Sequence, residues 1–278
     1  MQHETQATTQ RAITWDRTTY DVAHGPDLGT EPLRRLGAGE TAVIRLRGLL
    51  EPPDFDRARR RALDLLGSAS TVNYSNGSLT TVGPYLAAHL GDLDPYFEQS
   101  AQANRRMADA GFDLPARVRA ALRRTFGLES LRPAREPDGR AYGEAVIRLH
   151  ADGVRNPLHN DHIARDAQGT GLSLAGVVRQ LSCVVCLQEC DGGGELITYA
   201  KPWEPQDERW KVPTELGYRG EVVEGVPRHV FRPQTYDVYL INPTYYHEIE
   251  EVRGATRTTL GFFLGFTDDT LTRAVAWG

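Results

Sequence analysis

One short segment constrains the fold of this 278-residue chain more than any other feature. It holds His159 and Asp161, separated by Asn160, and a further histidine follows at His247. In an extended strand, residues two apart point to the same side, so His159 and Asp161 can reach one ion. Two imidazoles and one carboxylate on one face of an ion, with the other face open, form the facial triad of non-haem Fe(II) sites. The fold must therefore bring a second strand, which carries His247, against the first.

The sequence around the distal histidine predicts two strands. Residues 235–243 form a buried run that ends at a proline and leads to His247. Residues 257–266 form another β-rich run, in which period two places Arg257 and Thr259 on one face. A guanidinium beside a hydroxyl is suited to bidentate binding of a carboxylate. We therefore predict a carboxylate-binding pair on the strand that follows His247.

These features together resemble the 2-oxoglutarate/Fe(II)-dependent oxygenases. The matching residues are His159-x-Asp161, then His247, and then Arg257-x-Thr259 ten residues later. The resemblance implies that iron is bound by the first three and that the distal carboxylate of 2-oxoglutarate is bound by Arg257 and Thr259. The implied cofactors are Fe(II), the cosubstrate 2-oxoglutarate and O2.

The resemblance covers residues 141–267 and includes a strand-turn-strand pattern around Cys190–Leu196. It implies an α+β fold with a mainly β core. That core is a double-stranded β-helix, also called a jelly roll or cupin-like fold, with the N-terminal helices packed on one sheet. The loop 157–166 is similar to that of hydroxylases and halogenases that act on free amino acids.

Asp161 bears on the choice of reaction. The related halogenases have a small residue at this position, which frees a coordination site for halide. The carboxylate here therefore predicts hydroxylation of an unactivated C–H bond. The similarity of the loop implies that the substrate is a small polar metabolite, a free amino acid or an amino-acid-derived natural-product intermediate. Desaturation or cyclisation would need the same ligands and stays open. Two further functions also fit the triad: a cupin-like protein that binds or senses a ligand, and a zinc hydrolase or isomerase.

Two other histidines compete for the role of metal ligand. His150 begins a second His-x-Asp pattern with Asp152, followed by Gly153. We predict that this pattern is the turn into the metal loop. His162 is three residues from His159 and would face the other way on a strand.

Substrate contacts are predicted on the strand that precedes the metal loop. In a strand over residues 141–149, Glu144 and Arg148 would share one face. Glu144 would then bind an amine and Arg148 a carboxylate, as in a free amino acid; a salt bridge on an exposed strand face is the alternative. Asn160 and Arg165, beside the metal ligands, are further candidates.

Composition excludes several functions. The formal net charge of -5 gives no basic surface for nucleic acid, and no apolar stretch reaches membrane-spanning length. The N-terminus lacks the apolar core of a secretory signal, and three closely spaced cysteines are interpreted as small buried residues. We therefore expect a cytoplasmic enzyme with a small-molecule substrate, no nucleic acid or membrane partner, and an unknown oligomeric state.

Residues 1–30 are predicted to be a partly disordered tail, and residues 31–278 a single domain. Within it, residues 31–140 form a support region with a strand at 41–48, a helix from residue 51 to 67, a turn-rich segment at 72–78 and helices at 94–110 and 115–126. Residues 141–267 form the β-helix core, with an insertion at 199–232. The insertion is interpreted as an active-site lid or a surface elaboration.

Overall fold

The computed structural model describes residues 15–25, 27–67, 69–74, 77–213 and 217–278, and the side chains of these residues apart from 70–74 and 77–78. The strands are β1 (Arg17–Asp21), β2 (Val43–Arg47), β3 (Ser70–Tyr74), β4 (Gly77–Val82), β5 (Ser130–Pro133), β6 (Val146–His150), β7 (Asn156–His159), β8 (Arg179–Gln188), β9 (Leu196–Pro202), β10 (Arg228–Phe231), β11 (Val238–Ile241), β12 (Tyr245–Ile249), β13 (Arg257–Phe266) and β14 (Arg273–Trp277). The helices are α1 (Glu31–Gly37), α2 (Pro52–Leu66), α3 (Asp94–Asp109), α4 (Leu114–Thr125) and α5 (Ile163–Asp166).

The long helices form where the sequence predicts them. α2 begins with proline in its first turn, where the missing N–H costs nothing, and ends at Gly67. Its buried side chains recur three and four residues apart, as in Phe55, Ala58 and Ala62. The bounds of α3 and α4 differ by one residue from the predicted ones. In the described part of the chain, no helix is both long enough and apolar enough to cross a membrane.

Within the described residues, ten strands form one large sheet and four form a smaller one. The large sheet has the order β1-β2-β11-β8-β13-β6-β4-β3, and β14 pairs with the second half of β13 and with β5. The small sheet has the order β10-β9-β12-β7. The predicted double-stranded β-helix is confirmed.

The two faces of the large sheet have different partners because side chains alternate along each strand. One face of β13 carries Leu260, Phe262 and Leu264, which pack with buried residues of the helices such as Phe55 and Val118. The predicted packing of the N-terminal helices on one sheet is thus confirmed. The other face looks toward the small sheet.

Between the two sheets lies a smaller apolar cluster. Val184 of β8 and Tyr239 and Ile241 of β11 come from the large sheet, and Phe231 and Ile249 come from the small one. The inner face of β13, which carries Arg257 and Thr259, lies on this side of the large sheet. The polar residues of interest therefore lie in the space between the sheets.

In the first hundred residues the described structure adds strands at two places. Residues 1–14 of the predicted tail lie outside the described residues, but β1 lies inside the range predicted as tail, and it pairs in parallel with β2. Of the turn-rich segment predicted at 72–78, the described residues 72–74 and 77–78 belong to β3 and β4, which pair with each other. β4 also pairs with β6 in the core.

Two predicted boundaries in the core also differ. β6 begins at Val146 and not at residue 141, because the preceding residues bind the helices: Gly143 N–H donates to Tyr96 Oη and Glu144 N–H donates to Asn104 Oδ1. The predicted insertion at 199–232 contains most of β9 and all of β10, which are strands of the small sheet. Only the connection between them is added to the core.

Candidate active site

The three predicted metal ligands converge at one edge of the small sheet. His159 ends β7 and lies directly opposite His247 of β12, so both imidazoles point to the same side. Asp161 lies two residues beyond the end of β7, where its backbone N–H donates to Pro243 O at 2.8 Å. Asp161 Oδ2 is 3.8 Å from His159 Nε2 and 3.7 Å from His247 Nε2. The three ligand atoms lie within 4.8 Å of one another, close enough for one ion to lie between them.

The backbone fixes both imidazoles in the tautomer that a metal requires. His159 Nδ1 lies 2.7 Å from Pro157 O, and His247 Nδ1 lies 2.9 Å from Tyr245 O. A carbonyl oxygen only accepts, so each Nδ1 carries the proton and each Nε2 presents its lone pair toward Asp161. Each carbonyl belongs to the residue two positions earlier, which is why a short extended segment can orient its own ligand.

Burial also keeps the distal imidazole neutral. Desolvation, together with the neighbouring imidazole of His159, lowers the pKa of His247 to about 4. A histidine must be neutral to ligate a metal, so this ligand is ready for binding at neutral pH. The donor set, two imidazoles and one carboxylate whose ligand atoms converge, fits iron.

A buried cationic pocket faces the metal site from the large sheet. Arg257 and Thr259 are both buried, at 4% and 1% exposure, and period two places them on the same face of β13. Arg257 Nη2 donates to Tyr239 Oη at 3.1 Å, so the hydroxyl proton of Tyr239 is left for another acceptor. Among the described residues no carboxylate lies within ion-pair distance of Arg257. The pair is therefore able to bind a ligand carboxylate.

Two glycines allow a tight turn beside Arg257, and one of them, Gly194, makes room for its arm. Gly193 and Gly194 have φ of +65° and +68°, in the left-handed region that favours glycine. A Cβ on Gly194 would lie 2.6 Å from Cys190 Sγ and 3.1 Å from Arg257 Cδ, and one on Gly193 would collide with Glu251 O. The glycines of the predicted strand-turn-strand thus let the turn pass close to the cationic pocket.

The competing histidines do not join the metal ligands. His150 ends β6 opposite Arg257, and Asp152 accepts a hydrogen bond from Gly254 N–H at 2.8 Å. The predicted turn follows His150, with Gly153 at a φ of +77°. Among the described residues, His162 is not part of the three-residue metal cluster. Both histidines are therefore separate from the ligand set, as predicted.

Sequence reasoning missed two side chains of the pocket, His150 and Tyr239. The imidazole of His150 is buried beside Arg257, and desolvation followed by the charges of Arg257 and Arg148 lowers its pKa well below the usual value. Burial raises the pKa of the Tyr239 hydroxyl, so it stays protonated. A tyrosine in the otherwise aliphatic run 238–241 is a signal that could have identified the second of them.

The four predicted substrate residues occupy different places. Glu144 lies before β6 and forms an ion pair with Arg119 of α4 at 2.7 Å. Because it lies outside the strand, it does not share a strand face with Arg148. The predicted pair is wrong because β6 starts at Val146, two residues after Glu144. Arg148 lies opposite Thr259, on the face that looks toward the metal site.

Asn160 and Arg165 form a separate group beside the metal ligands. Arg165 Nη1 donates to Asn160 Oδ1 at 2.8 Å, and its Nε donates to Asp166 Oδ1 at 2.5 Å. The guanidinium also lies 4.5 Å from the ring centroid of Trp203, which lies in the connection after β9. This connection thus contacts the loop that carries the metal ligands.

The three cysteines are free and buried. Cys183 packs in the core under the helices, whereas Cys186 lies opposite Thr259 on the inner face. Their predicted placement on opposite faces is confirmed. Burial raises the pKa of the Cys186 thiol to about 12, so it is not a thiolate ligand at neutral pH.

Comparisons with known proteins agree with this geometry. A curated relative, leucinostatins biosynthesis cluster protein S of Purpureocillium lilacinum, is 30% identical over 174 residues, which are 60% of this chain and 69% of that protein. Among solved structures, an N-substituted L-amino acid dioxygenase from Burkholderia ambifaria AMMD, in complex with alpha-ketoglutarate, has a TM-score of 0.55 at 17% identity and covers 90% of this chain and 91% of its own. The alpha-ketoglutarate-dependent carbocyclase SnoK from nogalamycin biosynthesis has a TM-score of 0.51 at 11% identity, with 88% of each chain covered.

The family model described as carrier-protein-independent halogenase WelO5 matches residues 31–278. The match spans the helices that support the large sheet as well as the metal ligands and the cationic pocket. The chain belongs to this family, and it is a 2-oxoglutarate-dependent non-haem iron oxygenase that uses Fe(II), 2-oxoglutarate and O2.

Proposed function

We propose that this oxygenase hydroxylates an unactivated C–H bond of a small polar metabolite, a free amino acid or an amino-acid-derived intermediate of a natural product. The observation that carries the choice of hydroxylation is the position of Asp161 Oδ2, which is 3.7 and 3.8 Å from the two imidazole Nε2 atoms. The carboxylate thus takes the coordination position that a halide would need. When bound, iron with 2-oxoglutarate and O2 supplies the oxidising power for this reaction and releases succinate and CO2.

His159, Asp161 and His247 hold the iron in this proposal, and the protein supplies the remaining geometry. Arg257 and Thr259 hold the distal carboxylate of 2-oxoglutarate, with Tyr239 offering its hydroxyl proton to the same group. These groups are rigid because they lie on paired strands of the large sheet. Their burial excludes water, which strengthens each charge-assisted hydrogen bond to the cosubstrate.

The proposed substrate contacts are Arg148 on the inner face of the large sheet and Asn160 and Arg165 beside the metal ligands. The curated relative supports a natural-product setting, because its name places it in the biosynthesis of leucinostatins. SnoK and the N-substituted amino acid dioxygenase support a small-molecule substrate. The sequence identities of these two proteins to this chain are 17% and 11%, so they support the fold and the setting but not a particular substrate.

Halogenation is the second candidate, because the matched family is described as a halogenase. It requires an open coordination position where Asp161 offers its carboxylate. Under the proposal, the unchanged protein does not transfer chloride or bromide to its product. A variant that lacks the carboxylate, such as Asp161→Gly, opens that position.

Succinate formation tests the oxygenase proposal before the substrate is known. The protein is incubated with Fe(II), 2-oxoglutarate and air, with and without a metabolite library that includes free and N-acylated amino acids. We expect iron-dependent succinate release that increases with library members that also gain one oxygen atom by mass spectrometry. Activity that requires zinc and persists without O2 would replace the proposal with a hydrolase or isomerase. Absence of succinate with every library member would favour a binding or sensing protein.

A further inference from the structure

Arg148 lies in the space between the sheets, close to the metal site. It is opposite Thr259 in the pairing of β6 with β13, so its side chain shares the face of Arg257 and Thr259. Its charge is among the groups that lower the pKa of His247. Its guanidinium carbon lies 5.1 Å from the ring centroid of Tyr85. A second guanidinium thus reaches the cavity in addition to the one assigned to 2-oxoglutarate.

The arm of Arg148 leans away from Arg257. A Cβ built on Gly261 would lie 2.8 Å from Arg148 Nη1 and 3.4 Å from Cζ, so the guanidinium lies directly over this glycine. Gly261 is four residues from Arg257 on the same strand, or ~13 Å between their α-carbons. Arg148 itself lies opposite Thr259, two residues from Arg257, and its arm extends toward Gly261, away from the start of the Arg257 arm.

Two buried arginines of this protein, Arg45 and Arg119, have a carboxylate partner, whereas the half-buried Arg148 has none in the described structure. Arg45 Nε is 2.8 Å from Asp237, and Arg119 Nη2 is 2.7 Å from Glu144. For Arg148, no carboxylate of a described residue lies within 4.0 Å, and its Nε is buried without a hydrogen-bond acceptor. A buried N–H of a cation that lacks an acceptor is costly, so this arrangement is expected where a ligand supplies the anion.

Charge balance indicates which ligand supplies it, if the proposed function holds. The charges of Fe(II) and Arg257 are offset by Asp161 and by the two carboxylates of 2-oxoglutarate. The charge of Arg148 remains. Because Glu144 is already bound to Arg119, it does not balance that charge. One further negative charge is needed in the cavity when iron and cosubstrate are present.

We infer that Arg148 binds a carboxylate of the substrate, so that the enzyme acts on carboxylic acids and orients them by this group beside the iron. The inference rests on the proposed function and adds the chemical class of the substrate. Gly261 has a specific part in it, because the absence of a side chain lets the guanidinium lie close to β13 at this residue. The planar fork of arginine suits bidentate binding of a carboxylate.

Ligand binding without turnover tests this assignment. The protein is loaded with Mn(II) in place of iron and saturated with 2-oxoglutarate. The probes are N-acetyl-L-leucine and N-acetyl-L-leucinamide, which differ only in the carboxylate. Paramagnetic relaxation of the probe protons by Mn(II) reports their proximity to the metal, and calorimetry gives the Kd of 2-oxoglutarate in each variant.

The variants separate the two cations. Arg148→Met is expected to weaken binding of N-acetyl-L-leucine at least tenfold and to change the Kd of 2-oxoglutarate less than threefold. Arg257→Met is expected to weaken 2-oxoglutarate binding. Gly261→Ala displaces the Arg148 guanidinium without removing it. This variant is expected to bind N-acetyl-L-leucine severalfold more weakly and to retain 2-oxoglutarate binding. Arg155→Met, which removes an exposed guanidinium and the same net charge, is the control and should change neither.

Three results would overturn the inference. The first is an equal loss of 2-oxoglutarate binding in Arg148→Met and Arg257→Met, which would show that both cations hold the cosubstrate. The second is equal relaxation of the acid and the amide by the wild-type protein. The third is no saturable binding of the acid when 2-oxoglutarate is bound. A wild-type protein that does not bind 2-oxoglutarate at all would instead reject the proposed function.

Discussion

Protonation and hydrogen bonding of a few buried side chains prepare this site for iron. Each metal-binding imidazole donates Nδ1–H to a backbone carbonyl, and Asp161 lies where its carboxylate faces both free nitrogens. The side chain of Asp161 is 34% exposed, so it contributes little to the core. The ligand set can therefore be changed without a large effect on folding.

Asp161→Ala should abolish hydroxylation and weaken Fe(II) binding while changing the free energy of unfolding by less than about 1 kcal/mol. The reason is that a ligand is lost but no core cavity is created. Fe(II) titration, product formation and thermal unfolding measure the three effects. Asp152→Ala, in the second His-x-Asp pattern, is the matched control and should keep iron and activity. Full hydroxylation by Asp161→Ala would contradict the assigned ligand.

His150 should make the stability of the metal-free protein depend on pH. Its pKa in the folded state is well below 6.5, mainly because of burial, so the unfolded chain binds the additional proton as pH falls through 6.5. Stability is therefore present above pH 6.5 and is lost below it, by roughly 1 kcal/mol for each pH unit. Urea unfolding of the metal-free protein at pH 7.5 and pH 5.5 should show a smaller pH-dependent loss in His150→Gln than in the wild type. Equal losses would show that His150 does not have this role.

At the scale of elements, the turn between β8 and β9 controls how Arg257 reaches the cavity. Gly194 has a φ of +68°, and a Cβ at this residue would lie close to Cys190 Sγ and Arg257 Cδ. Gly25 has nearly the same φ, +67°, but nothing lies within 4 Å of the position of its Cβ. Substitution of each glycine by alanine therefore distinguishes the effect of backbone strain from the effect of displacing Arg257.

Gly194→Ala should raise the Kd of 2-oxoglutarate about tenfold and destabilise the protein by more than the ~1–2 kcal/mol of left-handed strain. Gly25→Ala should be destabilised only by that strain, and its affinity for 2-oxoglutarate should be unchanged. Calorimetric titration with 2-oxoglutarate and urea unfolding measure both quantities. If the two variants bind 2-oxoglutarate with the same affinity, the turn does not position Arg257.

The elements show why part of this fold can be predicted from the sequence. The bounds of β13 and the inner-face placement of Arg257 and Thr259 follow from period two, and α3 and α4 follow from proline and apolar spacing. The start of β6 does not, because Gly143 and Glu144 bind side chains of α3 that are about 40 residues distant in sequence. Long-range hydrogen bonds of this kind leave no local pattern.

The same difference between local patterns and long-range contacts applies to the residues of the site. The metal ligands and the Arg-x-Thr pair have fixed spacing along the chain, so the sequence predicts them. His150 and Tyr239 enter the pocket only through pairing of β6 with β13 and through a hydrogen bond across the sheet. The error for Glu144 has the same origin, since its partner Arg119 is on a helix.

At the scale of the whole molecule, the support region is part of the β-helix. β2 pairs with β11, and a buried ion pair of Arg45 with Asp237 joins them at 2.8 Å. β4 pairs with β6, and β14 lies beyond residue 267. The large sheet therefore draws on residues outside the predicted core of 141–267.

A fragment of residues 141–267 should not fold by itself. It would lack the helices that cover Leu260, Phe262 and Leu264, and it would expose the edges of β6 and β11. Circular dichroism and urea unfolding of the fragment should show no cooperative transition, whereas the full chain should show one. A cooperatively folded fragment that binds Fe(II) would contradict this dependence.

The fate of an oxygen atom tests the central claim most directly. The full-length protein is incubated with Fe(II), 2-oxoglutarate, a substrate found in the library and ¹⁸O₂, in a buffer that contains chloride and bromide. We predict a product that carries one ¹⁸O atom, one succinate for each product molecule, and no halogen, because Asp161 occupies the position that a halide would take. A chlorinated or brominated product from the unchanged protein would contradict the account.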